Sequence, residues 1–232
     1  HVADTGLNIK HTATGDDKPI ILTLQTGETD IAADDVIGTI NFQAPDEGTG
    51  TDAILVAAGI SAISEGDFSS SSNATKLVFK TGASAAADSK FEIASNGSAS
   101  TPTAGTNNLR LGANAGNSFQ SGGVQNVVLG DEAGTSITTG DNNVCIGYQA
   151  GDALSTGDNN IAIGKNALGA EDGHDFSIAI GSNALAVQDV GGNSFNIAIG
   201  HNAGTSISTG IVNTLVGYLA GDALTTGNNN VA

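Results

Sequence analysis

The chain has 232 residues, of which 33 are glycine, while aromatic residues make up only 4% and tryptophan is absent. So few bulky side chains can build only a thin core of aliphatic residues and alanine, which suits an elongated stack better than a sphere. The formal net charge of −17 argues against phosphate backbones and anionic membrane surfaces as partners. We therefore expect no nucleic-acid binding and no membrane insertion.

The N-terminal part of the chain, residues 1–97, is predicted to be a β-rich module. Its apolar segments are separated by turns rich in Asp, Gly, Ser and Asn. The run 52–64 is rich in alanine and also fits a buried helix, but strand is the preferred interpretation. Residues 98–107 have the composition of a linker. The predicted strands cover residues 19–26, 36–44, 52–64, 75–82 and 90–97.

The remainder, residues 108–232, repeats one unit of about 17 residues. Each unit contains Asn, an aliphatic residue, a small residue, a second aliphatic residue and then an anchoring glycine. Seventeen residues span roughly 56 Å when extended, which suffices for short strands and turns but not for a strand, a full helix and two loops. The unit is predicted to be one coil of a parallel β-solenoid, and a helical turn in residues 148–154 is the weaker alternative. The anchoring glycines are Gly112, Gly130, Gly147, Gly164, Gly181, Gly200 and Gly217.

Three further positions recur in register with the glycines. The asparagine before each strand is expected to form a hydrogen-bonded ladder from coil to coil, with Ser177 in its place once. Alanine follows every anchoring glycine by three residues. A second apolar position lies four residues further on and is interrupted at Glu171 and Gln188. The ladder residues are Asn108, Asn126, Asn143, Asn160, Asn196 and Asn213.

Each predicted strand has a bulky and a small face, because alternate residues point to opposite sides. Ile161 and Ile163 lie on one face and Ala162 on the other. We expect stacking to bury the aliphatic face within the chain and association of chains to bury the small face. Cys145 occupies the small position of its strand, which favours packing over thiol chemistry, and as a single cysteine it excludes an internal disulfide.

No catalytic, cofactor-binding or metal-ligating residue is predicted. The four histidines, His1, His11, His174 and His201, are scattered, and the last two are expected to face solvent. Asp141 and Asp158 stack in neighbouring turns, which raises calcium as an alternative to solvated turn acids. A column of Thr139, Thr156, Thr209 and Thr226 raises ice binding, but turn capping is the preferred interpretation.

The register "NIAIGKNAL…NIAIGHNAG" resembles the head repeats of trimeric autotransporter adhesins and similar repeats in bacteriophage tail fibres. The resemblance covers about residues 106–232 and implies a left-handed parallel β-roll in which three chains associate along one axis. The N-terminal stretch "LVFKTGASAAADSKFEIASNG" resembles a module of phage tail-fibre and structural proteins. The chain is therefore expected to be part of a longer homotrimeric fibre.

The function that this resemblance implies is structural and is not catalytic. We expect a segment of a phage tail fibre that is located on the virion. Its expected partners are further copies of the same chain, other tail or fibre proteins, and a host cell-surface glycan or protein. A bacterial surface adhesin or extracellular filament subunit with the same repeat is the main alternative. A β-helical enzyme acting on polysaccharide is a weaker one, because no paired carboxylates recur at one coil position.

Overall fold

The computed structural model describes residues 19–43, 55–82, 85–170 and 173–232. All helical or strand structure in these ranges is β-strand, so the all-β prediction is confirmed. No helix there is long and apolar enough to cross a membrane. The chain divides into two compact units, His1–Ser98 and Ala99–Ala232. Thr101 and Thr103 of the predicted linker bond the first coil, since their Oγ1 atoms accept from Arg110 N at 3.1 Å and Asn108 Nδ2 at 3.2 Å.

The first sheet has five strands in the order β1-β2-β3-β4-β5, and β1 to β4 pair as antiparallel neighbours. The run 52–64 contributes a strand, and the helical alternative is therefore wrong. Its second half pairs with strands on both sides, which satisfies its backbone hydrogen bonds along both edges. The strands are β1 (Val36–Gln43), β2 (Val56–Ser64), β3 (Thr75–Thr81), β4 (Asp88–Ile93) and β5 (Ala99–Ser100).

Two strand predictions in this region need correction. Residues 19–26 form no strand, although their composition has high β-propensity, because propensity needs a partner strand to take effect. Leu24 in that segment lies instead against Gly38 of β1. The strand predicted at 90–97 ends at Ile93, because a turn follows in which Gly97 N donates to Ala94 O at 2.9 Å with φ of 82°.

The second sheet is the predicted parallel solenoid. Its seven strands are three residues long, pair in register and follow chain order along the sheet. The helical alternative for residues 148–154 is wrong, because Gln149 and Gly151 have φ of 54° and 57°. The strands are β6 (Leu109–Leu111), β7 (Val127–Leu129), β8 (Val144–Ile146), β9 (Ile161–Ile163), β10 (Ile178–Ile180), β11 (Ile197–Ile199) and β12 (Thr214–Val216).

The faces of these strands are the reverse of the expectation. The middle residue of each strand from β7 to β12 points into the coil and is buried, and in β8 to β11 it is small, namely Cys145, Ala162, Ala179 and Ala198. The aliphatic residues on either side, such as Ile161, remain partly exposed on the outside. A coil of about 17 residues encloses a narrow interior, which the recurring alanines after each glycine already share. Small side chains fit that interior, whereas a second row of isoleucine would overfill it.

The asparagine ladder is confirmed as a buried element that holds the coils in register. In each step except that from Ser177 to Asn196, a side-chain oxygen accepts from the next backbone amide. Asn126 Oδ1 accepts from Asn143 N and Asn143 Oδ1 accepts from Asn160 N, both at 2.9 Å. The amide nitrogen binds a turn carbonyl, as in the 2.7 Å bond from Asn143 Nδ2 to Gly157 O. Each buried asparagine therefore satisfies groups that would otherwise be left unpaired in the interior.

The large core side chain of a coil comes from one of two positions, which lie four and seven residues after the anchoring glycine. This exchange keeps the core volume constant. Where the later position is apolar, the earlier one is glycine. A Cβ on Gly151 would lie 2.9 Å from Leu154 Cδ1 and 2.5 Å from Cys145 Sγ. In the coils where Glu171 and Gln188 interrupt the apolar position, the earlier position carries Leu168 and Leu185, both buried. The leucine thus replaces the missing core side chain; Glu171 itself lies outside the described residues.

Gln188 is buried and repairs the ladder where serine interrupts it. Its Nε2 donates to Ser177 Oγ at 2.9 Å, and its Oε1 accepts from Asn196 Nδ2 at 2.7 Å. A further hydrogen bond joins the hydroxyls of Ser177 and Ser194. The glutamine therefore spans the gap left by the shorter serine side chain. Its hydrogen bonds offset the apolar contacts that an aliphatic residue would make at this position.

Candidate interaction surface

The solenoid presents an apolar strip formed by the first and third residues of β6 to β12, which we call the outer face. All of its residues are aliphatic except Thr214, none is charged, and none is fully buried. Strands in a sheet lie about 4.8 Å apart, so seven of them make a strip roughly 29 Å long. The outer face comprises Leu109, Leu111, Val127, Leu129, Val144, Ile146, Ile161, Ile163, Ile178, Ile180, Ile197, Ile199, Thr214 and Val216.

One flank of the outer face becomes apolar in the later coils. The residue before each ladder position has a left-handed backbone, which suits the asparagines found there at 107, 142, 159 and 229. Phe176, Phe195 and Val212 occupy the same position with φ of 60°, 51° and 59° and are exposed. The two phenylalanine rings stack with centroids 5.4 Å apart. Exposed apolar residues therefore occupy positions at which the backbone favours asparagine.

The residue after each anchoring glycine forms a second surface column with aromatic and basic members. Lys165 Nζ lies 5.9 Å from the ring centroid of Tyr148. The rings of His201 and Tyr218 stack with centroids 5.7 Å apart, and Tyr218 is the more exposed of the two tyrosines. His201 therefore faces solvent, as predicted.

The predicted aspartate stack exists, and its carboxylates serve the backbone. Asp141 Oδ1 accepts from Val124 N at 2.8 Å, and Asp158 Oδ1 accepts from Asp141 N at 2.7 Å. Asp175 continues the column by accepting from Asp158 N at 2.7 Å, and Asn228 does the same for Ile211. These contacts tie neighbouring turns together. The ranges that the structure describes contain no group of three or more His, Cys, Asp or Glu side chains that could hold a metal ion.

Two further residues that were considered as candidates, Cys145 and His174, are buried within the solenoid. Cys145 is buried between Val128 and Ala162 in the register, and burial followed by the nearby Asp152 charge raises the pKa of its thiol to about 12. His174 was expected to face solvent, but it is fully buried. It occupies the turn position that Gly157 holds in the preceding coil, and its carbonyl accepts from Asn160 Nδ2 at 2.8 Å as Gly157 O accepts from Asn143 Nδ2. His1 and His11 lie outside the described residues.

Comparison with known proteins identifies no relative of this chain: no family model, no curated protein and no solved structure matches it. The function is therefore inferred from the surfaces of the molecule. The outer face was missed as a surface because strand alternation identifies two faces without saying which one is inside. The exchange of glycine and leucine four residues after the anchoring glycine could have revealed which face is outside. Residues that exchange size in this way share a confined volume, and the small face of the strands borders that volume.

Proposed function

We propose that the chain is a segment of a homotrimeric fibre of the kind found in bacteriophage tail fibres, where it provides reach and attachment to the host cell. The outer face is the observation that carries this proposal. An uncharged aliphatic strip along the whole sheet would leave a large apolar surface in water in a lone chain. Three chains arranged around one axis would cover it in each of them.

The fold supports a mechanical role because the coils are joined by continuous ladders. Hydrogen bonds from the asparagine and aspartate columns run along the stacking direction, so an extending force acts on many parallel contacts at once. Association through the outer face would stiffen the stack further. Other tail or fibre proteins and a cell-surface glycan or protein receptor are the partners of such a segment, and the virion is its location.

A bacterial adhesin or extracellular filament subunit would use the same surface, so the neighbouring genes are needed to distinguish between these functions. Tail and virion genes beside the reading frame support the phage assignment. A secretion signal upstream or a membrane anchor downstream would support the adhesin. A polysaccharide-degrading enzyme is tested by incubating the assembled protein with bacterial glycans, and depolymerisation that is lost on replacing one aspartate would overturn the structural role.

Native mass spectrometry of the full chain tests the trimer. The wild type is expected at three times the 22.8 kDa of one chain. Ile178→Lys places a charge within the outer face, on β10, and is expected to give single chains. Thr139→Lys, an exposed turn position of an earlier coil, adds the same charge and is expected to remain trimeric. A wild type that is monomeric at tens of micromolar would contradict the proposal.

A further inference from the structure

The antiparallel sheet has a second exposed apolar surface, which we call the open face. Cross-strand pairing places Ile40, Ile60, Phe79 and Phe91 in one row. It places Gly38, Ala62, Leu77 and Ile93 in the row beside it. Neither row contains a charged residue. Ile40 is 44% exposed and Leu77 is 39% exposed, and together with Leu24 they line an apolar groove of about 160 Å³.

The opposite face of the same sheet is more polar, and it is buried at its centre, whereas Thr39 and Asn41 in the edge strand β1 are exposed. The row Thr39, Ser61, Val78 and Glu92 lies there, and both Ser61 and Val78 are buried. The segments before β1 and after β2 are linked to each other by the bond from Phe68 N to Ile31 O at 2.9 Å. A sheet that buries the centre of its polar face and leaves apolar side chains exposed on the other face reverses the arrangement of a stable single domain. The apolar side therefore requires a cover.

The rest of the N-terminal sequence covers this face only in part. In the segment 19–26, Leu24 lies against Gly38, but Ile20, Ile21 and Leu22 each remain more than half exposed. Residues 1–18 contain Val2, Leu7 and Ile9 as their large aliphatic residues, and residues 44–54 contain only Ile54. These segments are otherwise dominated by Asp, Thr, Gly and other small or polar residues. Four scattered aliphatic side chains cannot match two rows of the sheet.

The size and charge of the open face favour another copy of this chain over a foreign partner. Its partly exposed side chains offer roughly 400 Å² of apolar surface, about half of what each partner contributes to a stable interface. Copies already held side by side along the solenoid would meet at a high effective concentration, so a small face suffices between them. Between copies of a chain with net charge −17, repulsion is weakest at a surface without charges.

We propose that the open face joins copies of this chain and that β1 to β4 are stably folded only when joined, whereas the solenoid is stable within one chain. This rests on the self-association proposed above. It assigns the two units different roles, because the solenoid brings the copies together and the antiparallel module folds as a consequence. The module thereby reports on the state of assembly.

Hydrogen exchange of the full chain with Ile40→Lys and Asn41→Lys tests this inference. The two positions are adjacent in β1, are both exposed and point to opposite faces. In the assembled protein, Ile40→Lys is expected to speed exchange of the β1 to β4 amides at least tenfold and to leave those of β7 to β11 unchanged. Asn41→Lys is expected to exchange like the wild type. Dilution of the wild type to single chains is expected to reproduce the effect of Ile40→Lys.

The outcomes separate this inference from the proposed function. In the diluted single chain, Ile40→Lys and the wild type are expected to exchange alike, because the face is then uncovered in both. Wild-type protection of β1 to β4 in assembled Ile40→Lys would overturn the inference and leave the trimer intact. Single chains that keep β1 to β4 protected would overturn it too, by showing that the chain covers its own sheet. A wild type that never assembles would overturn both proposals.

Discussion

The solenoid and the antiparallel sheet bury their side chains to very different extents. In the solenoid a continuous cluster of buried hydrophobic residues extends from Ala115 to Leu215. Among the described residues of the first unit, Val78 is the one hydrophobic side chain that is buried. A chain that coils on itself encloses its own core, whereas one layer of sheet must find a second layer. The three-residue strands of the solenoid thus belong to a self-sufficient unit, whereas the longer strands β1 to β4 belong to a dependent one.

The strongest test of the self-sufficient unit compares neighbouring positions of one strand. Ala162→Asp places a carboxylate in the closed interior and is expected to cost at least about 4 kcal/mol of unfolding free energy. Ile161→Asp, on the outer face, is expected to cost under about 1 kcal/mol in dissociated chains. Urea unfolding of dilute protein measures both variants. Similar losses from the two would show that the strand faces are not distinguished in this way.

Asn143→Ala is expected to have the next largest effect, because it breaks the ladder inside the solenoid. The substitution leaves Gly157 O and Asn160 N without the side chain that now bonds them, which should cost about 3 kcal/mol. Asn142→Gly is the matched control, since that residue is exposed with φ of 58°, and its cost is expected within about 0.5 kcal/mol of zero. Thermal unfolding of both variants provides the measurement, and equal midpoints would argue against a structural ladder.

A double-mutant cycle tests the exchange between glycine and leucine in the core. Gly151→Leu alone is expected to cost about 2 kcal/mol, because its side chain would collide with Leu154 and Cys145. Combined with Leu154→Ala, which frees space as in the coil of Leu168, the loss should be smaller than the sum by about 1–2 kcal/mol. Denaturant unfolding of the four proteins gives this coupling energy. Strictly additive losses would mean that the two positions do not share volume.

The smallest expected effect is a gain in stability from Val212→Asn. A β-branched residue is strained at a φ of 59°, and asparagine tolerates this backbone, as it does at Asn229 in the next coil. The dilute single chain is expected to become more stable by about 0.5–1 kcal/mol. The assembled protein is expected to gain less, because the substitution removes an exposed apolar side chain beside the outer face. Calorimetry at low and high protein concentration compares the two states.

Much of the solenoid could be predicted from the sequence because its repeat is local and regular. The 17-residue period, the ladder asparagines and the alanine column all depend on residues of adjacent coils that share one environment. The direction of the strand faces could not be predicted from alternation, which is the same whichever side is inside, and the exchange of glycine and leucine was the sequence signal that carried it. The burial of His174 was also missed, because histidine replaces there the glycine that holds the equivalent turn position at 140 and 157.

The antiparallel unit was less predictable for a different reason. Alternation correctly indicated strands such as Val36–Gln43 and Thr75–Thr81. It could not show that the apolar rows of Ile40 and Leu77 would stay open, because a sequence pattern assumes that an apolar face finds a cover. The segment 19–26 illustrates the same limit, since strand propensity without a partner edge produced no strand.

Thiol labelling at single-chain dilution tests the central claim most directly. The inner row of the solenoid is closed without help from other chains, so native Cys145 should be protected by burial and by its raised pKa. In the variant Cys145→Ala with Ile146→Cys, the thiol moves one position to the outer face. We predict that wild-type Cys145 reacts with iodoacetamide at least about 1000-fold more slowly than the thiol of this variant. Equal rates would place the small row outside and contradict the account.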